Sequence, residues 1–249
     1  MKYRWQDLTI APEQTHHLKD GHPAYEARFV QVLKFHPPGL APVQDVLGAY
    51  HIESTGRAAY KERYIRTFGF YEGRAAVQAN DGWFHILANG RPLYSGRYAW
   101  CGNFQGGCCT VRFPGGLYCY LQLNGEVAYS QRYWYAGDFR DGVAVVQRED
   151  GLHTHINNEG LQVHGRWFLD LDVFHKEFAR ARDDNGWHHI DMKGQSIYSN
   201  RFAAIESFYN GQARVENFDG SLLVINETGE TVVKLREALL RADRRSQVS

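Results

Sequence analysis

Six times in this chain an arginine is followed at once by an aromatic residue, at a spacing of 34 or 35 residues. The pairs are Arg28-Phe29, Arg63-Tyr64, Arg97-Tyr98, Arg132-Tyr133, Arg166-Trp167 and Arg201-Phe202. A period held over about 170 residues marks a repeat architecture, in which each unit is too small to bury its own apolar faces and must stack on its neighbours. No linker rich in Pro, Gly or Ser and no charge run interrupts the period between Arg28 and Leu235. The 249 residues therefore read as one repeat domain.

Aligned on their arginines, the units share further columns. A tyrosine lies three residues before the arginine in five of them (Tyr25, Tyr60, Tyr94, Tyr129, Tyr198), with Val163 as the exception. A phenylalanine follows in all six: Phe35, Phe70, Phe104, Phe139, Phe174 and Phe208. Then comes a small side chain, at Ala41, Ala75, Cys109, Ala144, Ala179 and Ala213, just past a glycine that only Glu177 replaces. Two later glycine columns punctuate each unit, many beside Asp or Asn, as in Asp81-Gly82 and Asn89-Gly90.

Such glycines supply the positive φ of tight hairpin turns, and the runs between them are rich in Tyr, Phe, Trp, Val and Ile. No repeat carries a helix-length pattern of period 3.6. The columns predict an all-β protein of six repeats of about 34 residues, each of three or four antiparallel strands. The first strand is expected near the Arg-aromatic pair, and a short fourth through the tyrosine. Strands apolar on both faces and a crowded small-residue column predict a six-bladed β-propeller-like ring, with an open β-solenoid as the alternative. Residues 1–14 read as an N-terminal extension and 15–235 as the repeat domain. Within it, 15–27 form an extra strand that either closes the ring against the last unit or begins a seventh blade. Leu235, Ala238, Leu239 and Ala242 at helical spacing predict a short helix and frayed tail over 236–249.

Lysine plus arginine equals aspartate plus glutamate at 28 each, so charge favours neither nucleic acid nor an anionic membrane as a partner. No apolar segment reads as a secretory signal or a membrane span. The four cysteines, Cys101, Cys108, Cys109 and Cys119, crowd into one repeat rather than spreading as a disulfide framework would. The expected setting is a reducing cytoplasm, and the expected species a monomer.

The pattern Gly-x-x-x-Tyr-x-x-Arg-aromatic, Phe-x-x-Gly-x-Ala-x-Val, Gly-Trp-x-x-Ile resembles the bacterial WG (KWG-type) repeat. The matches are best at Asp81-Gly82-Trp83-Phe84-His85-Ile86 and Asn185-Gly186-Trp187-His188-His189-Ile190, and extend from about His16 to Leu235. The sequence departs in the tryptophan column, where it holds Ala49, Leu117, Leu152 and Ser221. Similar arrays precede SAM-dependent methyltransferase domains in some bacterial proteins. The resemblance implies an interaction or substrate-presenting module, or a partner of such a methyltransferase, and no catalytic residue.

Five residues before the closing glycine stand His16, His51, His85, Tyr120, His155, His189 and Val224. A ring of imidazoles could bind a ligand, yet a residue repeated in every unit more often solves a problem that every unit has. His51, His85, His155 and His189 are the central members. Departures from the repeat are the other candidates: His36 before Pro37-Pro38, and Asp170 with Asp172, whose carboxylates could share one face of a strand. The arginines are expected to stack on the aromatic column and donate to loop carbonyls of the adjacent blade. The cysteines lack a Cys-x-x-Cys knuckle and read as buried small residues, so neither a metal nor a cofactor is expected. No Walker loop, Gly-x-Gly-x-x-Gly or Gly-x-Ser-x-Gly occurs. The favoured function is a non-catalytic module that recognises a protein, peptide or small ligand.

Overall fold

A computed structural model describes residues 4–238. They form seven small antiparallel sheets and, apart from one short 3-10 turn at Trp5–Asp7, no helix. The chain divides into two compact units, Met1–Gly142 with Asn158–Gly160, and Val143–Asn157 with Leu161–Ser249.

The first unit contains four complete sheets. Thr9–Ile10, His17–Lys19 and His22–Pro23 make the first. Gln31–Val32, Leu40–Asp45 and Gly48–Glu53 make the second, and Arg66–Thr67, Ala75–Ala79 and Gly82–Ile86 the third. Trp100–Cys101, Cys108–Arg112 and Tyr118–Gln122 make the fourth. The second unit begins with the hairpin Val143–Gln147 and His153–Asn157. It continues with Asp170–Leu171, Ala179–Asp183 and Gly186–Ile190, and ends with Ala204–Ile205, Gln212–Glu216, Leu222–Asn226 and Thr231–Arg236.

Both ends differ from simple extrapolation of the repeat. Residues 9–10 pair with 17–18, so the N-terminal strand belongs to a sheet of its own. The last sheet takes Thr231–Arg236 as its fourth strand, and Leu235 lies in that strand rather than in a helix. The helix expected over 236–249 is not seen among the described residues, and 239–249 lie outside them.

The Arg-aromatic pair does not open a sheet; it closes the preceding one. Tyr64 exchanges both backbone hydrogen bonds with Ala49, at 2.8 and 2.9 Å. Trp83 with Tyr98, Tyr118 with Tyr133, His153 with Phe168, and Trp187 with Phe202 repeat the bridge. The next sheet starts two residues later, at Arg66 after Tyr64. In the fifth repeat the bridging residue is Phe168 rather than Trp167, because one extra residue precedes it.

The small-residue column faces a branched aliphatic side chain across each hairpin: Ala41 opposite Ile52, Ala75 opposite Ile86, and Cys109 opposite Leu121. Ala144 with Ile156, Ala179 with Ile190 and Ala213 with Ile225 continue the pattern in the second unit. All twelve residues are buried. Small opposite large fills one layer at interior density, which explains why the column tolerates only Ala or Cys. All four cysteines are buried free thiols, and burial raises each thiol above its usual range, Cys119 to about 11.

Hairpin loops come in two lengths. Asp45 pairs with Gly48, Ala79 with Gly82 and Asp183 with Gly186, across two-residue turns. Gly82 adopts φ +130°, and a Cβ there would lie 2.9 Å from the Tyr98 carbonyl, so the bridge itself requires glycine. Arg112 with Tyr118, Gln147 with His153 and Glu216 with Leu222 span loops that are longer.

Candidate functional site

Each central histidine is buried and bonded through both ring nitrogens. Nδ1 lies 2.5 Å from the hydroxyl of Tyr60 for His51, 2.6 Å from that of Tyr94 for His85, and 2.5 Å from that of Tyr198 for His189. Nε2 lies 2.8 Å from the Phe68 carbonyl for His51, 2.8 Å from Gly102 for His85, and 2.9 Å from Glu206 for His189. A carbonyl can only accept, so Nε2 carries the proton, and Nδ1 accepts from the tyrosine. The phenylalanine column packs on the same rings, with Phe70 4.5 Å from His51 and Phe208 4.0 Å from His189 between centroids. Burial lowers the pKa of His51, His85, His155 and His189 to about 4, which keeps these rings neutral.

Two members of this network differ from the sequence alignment. In the first sheet the position belongs to His17, not His16: its Nδ1 lies 2.5 Å from the Tyr25 hydroxyl and its Nε2 2.9 Å from the Leu33 carbonyl. The link from His17 to Tyr25 is one residue shorter than elsewhere, which displaces a count made from the glycine. In the fifth repeat His164 replaces tyrosine, its Nε2 2.8 Å from His155 Nδ1, while His155 Nε2 reaches the Asp172 carbonyl at 2.8 Å. Tyr120 keeps half the pattern, donating to the Gly137 carbonyl at 2.6 Å.

The remaining candidates do not converge on these rings' free faces. His36 is half-buried with its ring 4.9 Å from that of Tyr71, and burial lowers its pKa. Asp172 pairs with Arg180, whose other nitrogen donates to the Ile205 carbonyl at 2.9 Å. Asp170 accepts the Leu171 N–H at 2.9 Å. Among the described residues no three His, Cys, Asp or Glu side chains gather into a metal-binding group. Nor is any helix there long and apolar enough to cross a membrane.

The arginine column is structural in its contacts, with one difference from expectation. The carbonyls it binds belong to its own loop: Arg28 Nη1 reaches those of Tyr25, Glu26 and Ala27 at 2.9–3.0 Å. Arg63 lies over the Tyr50 ring at 3.4 Å and Arg97 over Phe84 at 3.8 Å. Asp81 pairs with Arg97 and Asp183 with Arg201, each at 2.8 Å, and Asp45 lies 3.9 Å from Arg63.

The two loop lengths also re-register the tryptophan column. The residues that bridge to the following aromatic, where the side chain packs against the next repeat, are Ala49, Trp83, Tyr118, His153 and Trp187. Leu117 and Leu152, which the sequence count places in the column, belong to the longer loops. One member is thus truncated, Ala49, and a cavity of about 230 Å³ opens beside it. Leu33, Val43, Ala49 and Phe68 give this cavity apolar walls, and Gln31, Gln44, Arg66 and Thr67 bring polar groups to it. Among the described residues the Arg66 side chain has no hydrogen-bond or ion-pair partner. An adjoining groove of about 390 Å³ shares Gln44 and runs along Val46, Leu47 and Ile65. Sequence reading registered Ala49 as a departure but had no means of knowing that Arg66 and Phe68 of the next repeat face it.

No protein-family model matches the chain, and no curated protein matches it in sequence. Solved structures with a similar course of chain include BamB from Moraxella catarrhalis, at 13% identity and TM-score 0.49, covering 94% of this chain and 86% of that one. The computationally designed Ika8 protein gives 12% identity and TM-score 0.45 over 87% and 76% of the two chains. Kluyveromyces lactis Hsv2p gives 11% identity and TM-score 0.43 over 77% and 70%. The architecture described above rests on this chain's own hydrogen bonds.

Proposed function

We propose that this chain is a non-catalytic recognition module of the WG-repeat type, which binds a protein or peptide on a surface of its repeats. The observation that carries the proposal is the cavity beside Ala49. Four bridging positions carry a large ring and the fifth, Ala49, does not; beside it stand the amides of Gln31 and Gln44 and a guanidinium, Arg66, that has no partner among the described residues. Recognition sites are commonly concave, largely apolar and fitted with a few polar groups, and here rigid hairpins hold the walls. The histidines serve the scaffold in this reading, since their lone pairs and protons are already engaged. Nothing in the chain favours a methyltransferase association over other partners.

The test is to pan a random peptide library against the protein and against Ala49→Trp, which fills the cavity. Peptides selected by the parent and lost on the variant are the expected result. Peptides that bind both equally would place recognition elsewhere. The closed ring expected from the period is part of the same proposal, and solution scattering measures it. A compact particle of this length has a radius of gyration of about 18 Å, and an open solenoid a larger one.

A further inference from the structure

We infer that the Ala49 cavity receives an acidic side chain from an apolar segment of a partner protein. This rests on the recognition reading above and adds the chemistry of the ligand. Charge is the first argument. Arg66 stands on the cavity wall opposite Gln78 in its sheet, so no carboxylate answers it across the strands. The nearest acid of the adjoining groove, Asp45, is already engaged: its Oδ1 accepts the N–H groups of Leu47 and Gly48 at 2.7 and 3.1 Å, and it faces Arg63. The guanidinium shares the cavity lining with the Gln31 and Gln44 amides, and its fork can donate two parallel N–H bonds to one carboxylate.

Shape and polarity supply the second argument. The cavity opens beside a two-residue turn whose tip is apolar: Val46 is 92% and Leu47 75% exposed, with Ile65 and Val30 close by in the chain's pairing. Turns of this kind are normally polar, and the equivalent turns here are Asn80-Asp81 and Asp184-Asn185. Exposed aliphatic side chains beside a charged cavity suit a peptide that lays apolar residues along the groove and drops one acid into the hole. A free small acid would leave Val46 and Leu47 uncovered.

Two capped short peptides test this, one with a central glutamate flanked by leucine and valine, the other with glutamine in its place. Binding is followed through the backbone amide signals of Ala49, Thr67 and Phe68. Saturable binding of the glutamate peptide is expected, with the glutamine peptide about tenfold weaker, the loss of one charge-assisted contact. Arg66→Gln should erase that difference without moving the melting temperature, because the Arg66 side chain has no partner among the described residues to lose. Ala49→Trp should abolish both titrations. Equal binding of the two peptides, or none of either, overturns the acidic assignment. If both peptides bind equally yet Ala49→Trp still abolishes them, the recognition cavity stands and only its ligand chemistry fails. Isovalerate binding as tightly as the glutamate peptide would mark a small-acid site and overturn the partner segment.

Discussion

The His51 imidazole is held by two partners at once, the Tyr60 hydroxyl 2.5 Å from Nδ1 and the Phe68 carbonyl 2.8 Å from Nε2. The first lies in the segment that completes its own sheet, and the second directly after the first strand of the next, Arg66–Thr67. One ring therefore ties consecutive repeats together through a fixed tautomer. Replacing His51, His85 or His189 by phenylalanine would take the imidazole partner from a backbone carbonyl and from a tyrosine hydroxyl in each case. A loss of about 1–3 kcal/mol is expected for every one, similar between repeats, measured by denaturant unfolding. A variant that leaves stability intact would show its ring to be dispensable to the scaffold.

The third repeat offers the contrasting case. Tyr120 occupies the histidine position and directs its hydroxyl to Gly137, so the Tyr129 hydroxyl is buried with no partner. Tyr60→Phe and Tyr198→Phe each remove the donor to a histidine nitrogen and should destabilise by about 1–3 kcal/mol. Tyr129→Phe removes a group that pays desolvation and receives nothing, so it should be neutral or stabilising. Thermal melts of the three variants side by side decide this.

Acid should unfold the protein through the same rings. His51, His85, His155 and His189 have folded pKa values near 4, below the ordinary value of 6.5, because burial opposes their charge. Between those values the unfolded chain binds more protons than the folded one, so stability rises with pH there. It is fully present above about pH 6.5–7 and declines as pH falls toward 4. Stability measured across that window should fall steeply in the parent. His51→Gln, though less stable at neutral pH, should show a shallower slope. An unchanged slope would assign the acid sensitivity to other groups.

The repeat, the strands and the buried histidine-tyrosine columns were legible because each recurs, and recurrence reports what every unit needs. What escaped was local length. A hairpin loop one residue longer in the third, fourth and sixth repeats moves Tyr118 and His153 into the position that Trp83 holds, and no count from a glycine detects it. A link one residue shorter hid His17 behind His16, and the extra residue before Phe168 hid His164 behind Val163. The C-terminal pattern from Leu235 was ambiguous for another reason: an unpaired edge on the last sheet recruits Thr231–Arg236 as a strand, which a period-based reading of that segment alone cannot foresee. The cavity was illegible because its walls come from two repeats, and only pairing brings Arg66 to Ala49.

That cavity predicts opposite responses at two equivalent positions. Trp83 is buried, and its ring stacks on Phe68 with centroids 5.4 Å apart and planes 15° from parallel. Trp83→Ala would open a hole in a packed layer and should cost about 3–5 kcal/mol. Ala49 occupies the same place in its own sheet, beside a void of about 230 Å³. Its backbone bridge to Tyr64 matches that of Trp83 to Tyr98, so a tryptophan there inherits a geometry already used one repeat later. Ala49→Trp should fold and melt at or above the parent temperature, since it covers Leu33, Val43 and Phe68. If instead it destabilised the protein as much as Trp83→Ala does, the two positions would not be structurally equivalent, and the void would be a consequence of crowding nearby rather than of a missing side chain.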